Sequence, residues 1–146
     1  MPSSYYSLHV HVIFSTKGRN PYLHPEIISE AHRYLGGTLR DLGATPLIVG
    51  GTSDHAHLLF GHKSNQGVAD LVRETKKSST NWMQKSSREF SWQEGYGAFS
   101  VSPERLAVVT RYIERQEKHH QKQSFREEWI ELMRYANVEF DESQFD

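Results

Sequence analysis

Hydrophobic residues recur along this chain with two different periods, and the order in which the periods alternate predicts its elements. Over residues 5–16, Leu8, Val10, Val12 and Phe14 alternate with His9, His11, Ile13 and Ser15, as on a strand whose side chains point to opposite faces in turn. Residues 25–42 then carry Ile27, Ile28, Ala31, Tyr34, Leu35, Leu39 and Leu42 at helical spacing, with Pro25 suited to the first helical position and Gly43 to the turn that ends the helix. Gly36-Gly37 within that stretch suggests a close backbone contact. Residues 45–49 and 54–61 read as the two arms of a hairpin, joined through Gly50-Gly51 and Thr52-Ser53-Asp54. A second helix is expected over 66–85, with Val68, Leu71, Val72, Thr75, Ser79, Trp82 and Met83 inward and Arg73, Lys76, Lys77 and Thr80 outward. A short strand follows at 96–101. Ser102-Pro103 then opens a third helix, with Ser102 as its cap, that runs to about residue 120. The last helix starts at Ser124, where Ser124-x-x-Glu127 is a capping box, and Phe125, Trp129, Leu132 and Met133 form its apolar face.

The order β-α-β-β-α-β followed by two helices specifies an α+β fold, the ferredoxin-like split βαβ sandwich. Its antiparallel sheet has the first and third strands at the centre and two helices on one face. Ala56, Leu58 and Phe60 belong to that covered face. The third helix is expected over the opposite face, followed by the C-terminal helix. One domain spans residues 1–146.

Composition narrows the setting. The chain has 146 residues and no cysteine, which excludes disulfides and thiolate metal sites and is compatible with a reducing compartment. It contains no apolar run near the ~18 residues of a membrane span and does not open with a basic segment followed by an apolar block, so the expectation is a cytoplasmic protein without a membrane partner. The net charge of −1 conceals a division: residues 126–146 carry −5 and the preceding residues +4. The body is mildly basic, and residues 137–146 read as an acidic, flexible tail.

The chemistry centres on Asp54-His55-Ala56-His57-Leu58-Leu59-Phe60. On a strand His55 and His57 share a face, roughly 6–7 Å apart along the chain, and can converge on one ion or one phosphate. On the third helix Val108, Tyr112, Gln116 and His119 or His120 fall three or four residues apart and form one stripe, beside the docking stripe of Leu106, Val109 and Ile113. Laid across the open sheet face, this helix can offer Gln116 as a third ligand and Tyr112 as a reactive group. Two neutral imidazoles and an amide oxygen suit a divalent ion that also takes an anionic oxygen, such as that of a phosphodiester. His9 and His11 repeat the pair on the first strand. No helix offers them a partner, and they are read as structural, lining the same sheet face. His119 and His120 are explained equally well by the negative end of a helix or by a place in the site. Trp82, Trp92 and Trp129 read as core, with base stacking by the loop residue Trp92 as the alternative.

These residues carry a resemblance. Asp54-His55-Ala56-His57-Leu58-Leu59 resembles the His-hydrophobic-His (HUH) motif, and Tyr112-Ile113-Glu114-Arg115-Gln116 the tyrosine helix, of the single-tyrosine HUH transposases, small insertion-sequence enzymes that act on single-stranded DNA. Ser15-Thr16-Lys17-Gly18-Arg19 and the block from Trp92 to Ser100 are similar to that family as well, so the likeness covers about residues 5–135. It implies an enzyme that binds hairpins at transposon ends and cuts and rejoins single strands with magnesium or manganese, holding the 5′ end on tyrosine. His55, His57 and Gln116 are then the metal ligands and Tyr112 the nucleophile. The family also implies a homodimer in which the tyrosine helix of one subunit completes the His pair of the other. Candidate DNA contacts are Lys17, Arg19, Arg73, Lys76, Lys77, Arg111 and Arg115, a small set for a nucleic-acid surface. The alternative within the family is a relative that binds hairpins without cutting them. A small-molecule metalloenzyme using His-x-His in the manner of cupins is a third reading; the split βαβ order and the lack of a suitably spaced Glu argue against it.

Overall fold

The computed structural model describes residues 4–141. Four antiparallel strands form one sheet in the order β2-β3-β1-β4: β1 His9–Ser15, β2 Thr45–Thr52, β3 His55–Gly61 and β4 Gly97–Ser100. Helices α1 (Ile28–Asp41) and α2 (Val68–Met83) cover one face. There Val10, Val12 and Phe14 of β1 and Ala56, Leu58 and Phe60 of β3 pack with Leu35, Leu39, Leu71, Val72 and Met83 as the main core. The predicted α+β sandwich and the central β1–β3 pair are therefore present. α3 (Leu106–Glu114), a single turn α4 (Gln116–His119) and α5 (Phe125–Tyr135) complete the chain. Among the described residues no helix is long and apolar enough to cross a membrane.

Register explains where the elements depart from the periodicity. The partner strand β3 ends at Gly61, opposite His9, so β1 starts there and leaves Tyr5 and Tyr6 exposed and unpaired in the sheet. β2 runs three residues further than its apolar pattern because Gly50, Gly51 and Thr52 still pair with His57, Ala56 and His55. Pro25 falls in a turn, where the amides of Ile27 and Ile28 both bond the His24 carbonyl, and α1 begins at Ile28. A Cβ at Gly36 would meet nothing nearer than Val49 at 3.8 Å, and one at Gly37 nothing within 4 Å, so the expected close contact at this pair is absent. The close approach is at Gly50, where a Cβ would lie 2.8 Å from both the side chain and the carbonyl oxygen of Ile113 on α3. Ser102 makes no side-chain cap; Pro103–Arg105 form a 3-10 turn before α3.

The third helix is not continuous to residue 120. Arg115 adopts φ −99°, ψ 19°, which interrupts it and starts α4 at Gln116. Gln116, the first residue after the break, is 1% exposed. Val108, placed by spacing on the same stripe as Gln116, is 40% exposed. Trp92 is core, its indole N–H donating to Ser79 Oγ at 2.9 Å and its ring edge-on to Phe14 and Phe90. No helix or strand follows Tyr135 among the described residues; residues 142–146 of the expected acidic tail lie outside them.

Candidate active site

The sheet face opposite α1 and α2 presents His11, Ile13 and Ser15 from β1 and His55, His57 and Leu59 from β3, all buried. A tight turn precedes His55. Thr52 Oγ1 donates to Asp54 Oδ1 at 3.1 Å, and the same oxygen lies 2.8 Å from His55 Nδ1. With Nδ1 donating to the carboxylate, the Nε2 of His55 is free to face inward, the arrangement of a carboxylate–histidine–metal triad. His55 also stacks on Phe125, ring centroids 4.4 Å apart. Across the strand, His57 Nδ1 is 2.7 Å from His11 Nε2.

Three helical segments close over this face. Ile113 seats α3 on β2 at Gly50, and Tyr112 and Gln116 then reach the histidines. Gln116 Oε1 lies 2.8 Å from His55 Nε2 and 3.0 Å from His120 Nε2. The fifth member was not foreseen. Ser124 and Glu127 form the expected capping box, and one residue later Glu128 projects into the cluster, 1% exposed. Its Oε2 accepts from the Tyr112 hydroxyl and, at 3.0 Å, from Gln116 Nε2. Its Oε1 is 3.3 Å from His57 Nε2, 3.5 Å from His55 Nε2 and 2.9 Å from His120 Nε2. A signal for Glu128 did exist in the sequence: it falls three residues after Phe125 and four before Leu132, inside the apolar stripe of α5.

The donor set fits a divalent ion. Ligands at about 2.1 Å and right angles to one another stand about 3.0 Å apart, and the contacts among His55, His57, Gln116, Glu128 and His120 run from 2.8 to 3.5 Å. His55, His57 and Glu128 together form a compact three-ligand group, and His119, His120 and Glu128 a second that shares the carboxylate. The electrostatics agree. Burial lowers His11 to about 4 and, with the charges of His11, His55 and His120, takes His57 well below the ordinary imidazole range. Burial and the neighbouring His55 and His119 bring His120 to about 4. Burial, with the charges of Asp54 and Glu131, pushes Glu128 up to about 8. Burial also pushes on Asp54, but its hydrogen bond and charge interaction with His55 outweigh that and hold it below the usual carboxylate range. Near neutral pH the imidazoles of His11, His57 and His120 are thus uncharged and Glu128 is protonated. A cation held by this cluster would take that proton's place.

The family model for IS200-like transposases matches residues 4–116. The chain belongs to the IS200-like transposase family. Solved structures that share its fold include these two. A crystal structure from Deinococcus radiodurans r1, described as that of a candidate transposase, is 24% identical, with a TM-score of 0.65 over 80% of this chain and 95% of that one. A REP-associated tyrosine transposase bound to a REP hairpin is 14% identical, with a TM-score of 0.62 over 82% of this chain and 74% of that one. No curated protein matches.

In this IS200-like chain the expected cationic contacts are dispersed. Lys17 and Arg19 follow β1 in a 3-10 turn next to the His55 end of β3, where the Thr16 amide bonds the Asp54 carbonyl. Arg111 and Arg115 are exposed, each one position before Tyr112 and Gln116 respectively. Arg73 pairs with Asp70 at 2.9 Å and Glu74 at 3.6 Å, and Lys77 is exposed on the same helix. The Lys76 ammonium donates to the carbonyls of Gln93 at 2.6 Å and Gly95 at 2.8 Å, and burial lowers it to about 8. Lys76 therefore ties down the loop before β4. An open cavity of about 790 Å³ is lined by Tyr112, His119 and Glu128 together with Phe99 of β4, Val109 and Leu132, among others.

Proposed function

We propose that this transposase cuts and rejoins single-stranded DNA at hairpin-bearing ends, with Tyr112 as nucleophile. The observation that carries the reading is the Tyr112 hydroxyl meeting, in one buried cluster, the carboxylate that also approaches both histidines of the HUH pair. His55, His57 and Gln116 would hold magnesium or manganese, and Glu128 adds the single negative ligand that the other three lack. When bound, the ion supplies positive charge that neutralises the phosphate oxygens and orients the diester. Tyr112 Oη attacks the phosphorus, and its proton passes to Glu128, in its ionised form, to which the hydroxyl is bonded. The bond from phosphorus to the 3′ oxygen breaks, and that oxygen leaves with the electron pair and takes a proton from solvent water, while Glu128 returns the tyrosine proton to solvent. The 5′ end remains on Tyr112 as a phosphodiester, so a later 3′ hydroxyl can reverse the step and seal a new joint.

Within one chain α3 and α4 already bring Tyr112 and Gln116 to the His pair. The homodimer implied by the family resemblance would make the same contacts with exchanged helices. Mixing His57→Ala chains with Tyr112→Phe chains separates the two arrangements: restored cleavage supports exchange, and none supports assembly within one chain. The central test is a denaturing gel for a covalent protein–DNA adduct, using labelled single strands from the gene's own flanks with Mn2+. An adduct that needs the ion and is lost in Tyr112→Phe supports the assignment. A retarded band on a native gel without any adduct would instead support a hairpin-binding protein that does not cut.

A further inference from the structure

His11, one member of the second His-x-His pair, lies against the candidate metal site. We infer that His11 is the positioning residue for His57, holding the ring so that its Nε2 points at the metal seat. The inference rests on the metal-site reading above. Register places His11 opposite Leu59 and Ile13 opposite His57, which makes His11 the diagonal neighbour of His57 on the site face. The two rings are nearly parallel, at 23° with centroids 5.0 Å apart, and His11 Nε2 lies 2.7 Å from His57 Nδ1. Both are buried, so this hydrogen bond does not compete with water. His11 is itself walled by the rings of Phe99 and Tyr112, at 6.0 and 6.3 Å.

A metal-bound histidine is ordinarily fixed by an acceptor on its other ring N–H. For His55 that acceptor is the Asp54 carboxylate. At His57 Nδ1 the hydrogen-bond partner is the His11 ring. With His57 Nδ1–H donating to His11 Nε2, the lone pair on His57 Nε2 faces Glu128 Oε1, 3.3 Å away. With the bond reversed, His57 Nε2 carries the proton and cannot ligate. The direction of one hydrogen bond thus decides whether His57 is a ligand. His9, half-buried at the far end of β1 and bonded to Ser7, takes no part.

The test uses Mn2+ binding by calorimetry on the full chain, with thermal melts as the fold control. His11→Leu should weaken Mn2+ binding about 10–100-fold, the usual cost of losing such a support. His11→Gln, whose side-chain oxygen can still accept from His57 Nδ1, should stay within about threefold of wild type. Wild-type affinity in His11→Leu, or an equal loss in both variants, would overturn the inference. Should His11→Leu not fold, the wild-type protein decides. Long-range proton–nitrogen NMR with saturating Mg2+ should show the His57 proton on Nδ1, and a proton on Nε2 would overturn the inference. Absence of Mn2+ binding by the wild type would remove the metal-site reading and this inference with it, whereas binding that ignores position 11 removes this inference alone.

Discussion

The raised pKa of Glu128 predicts how metal binding depends on pH. Its carboxyl, pushed up to about 8, is about nine-tenths protonated at pH 7. An ion that takes Glu128 as a ligand must therefore expel ~0.9 of a proton on binding. His11 and His120, lowered to about 4, and His57, lower than usual, are already neutral and contribute nothing to the slope above pH 6.5. Mn2+ affinity should then rise about eightfold between pH 6.5 and 7.5, about 1.2 kcal/mol. It should level off above pH 8, where the carboxylate is ionised beforehand. Glu128→Gln keeps the size of the side chain and its polar contacts but has no proton to lose. It should bind Mn2+ more weakly at pH 8 and with a nearly flat profile.

Titration calorimetry in two buffers of different ionisation enthalpy counts the protons directly. Wild type at pH 7 should release about one, and Glu128→Gln about none. A flat wild-type profile, or an unchanged slope in Glu128→Gln, would refute the placement of Glu128 among the ligands. It would leave Tyr112 untouched, because the adduct assay is read separately.

The same groups shape stability without metal. Glu128 holds its proton in the folded chain between its unfolded value near 4.5 and about 8, so its contribution is lost as pH rises through that window. His11 and His120 have depressed folded values, so theirs is lost as pH falls from about 6.5 towards 4. Chemical denaturation should find maximum stability near pH 7 and only a shallow fall, under about 1 kcal/mol, by pH 8, because His11, His32, His57 and His120 still gain from their neutral folded forms while Glu128 loses its proton; a steep rise continuing to pH 8 would contradict the burial of a protonated Glu128. Gly50→Ala puts a methyl 2.8 Å from Ile113 and should cost about 1–3 kcal/mol while slowing adduct formation, since α3 must lift from β2; unchanged cleavage would show that the seating of α3 does not set the geometry of Tyr112. Ser124→Ala removes the side-chain cap of α5 and should cost about 1 kcal/mol in denaturant melts, with weaker Mn2+ binding because that helix carries Glu128.

What the sequence made legible follows from period and spacing. Strand alternation put His55 and His57 on one face, and the four-residue step from Tyr112 to Gln116 put both on one side of a helix, so the pairing of strand and helix is legible in the sequence. Two kinds of information were hidden. The first is register: that His11 lies diagonal to His57 depends on how far β1 slides along β3, and alternation is blind to that slide. The second is a backbone break. The turn at Arg115 ends α3 and starts α4 at Gln116, which is buried, whereas Val108 at the start of the same stripe is 40% exposed and lines the open cavity beside Tyr112. Glu128 lies between these cases. An acid inside the apolar stripe of α5 is costly to bury alone, so its position was itself a sign that polar partners wait beneath the helix; which partners they are depends on the fold of residues more than 70 positions away along the chain, His55 and His57.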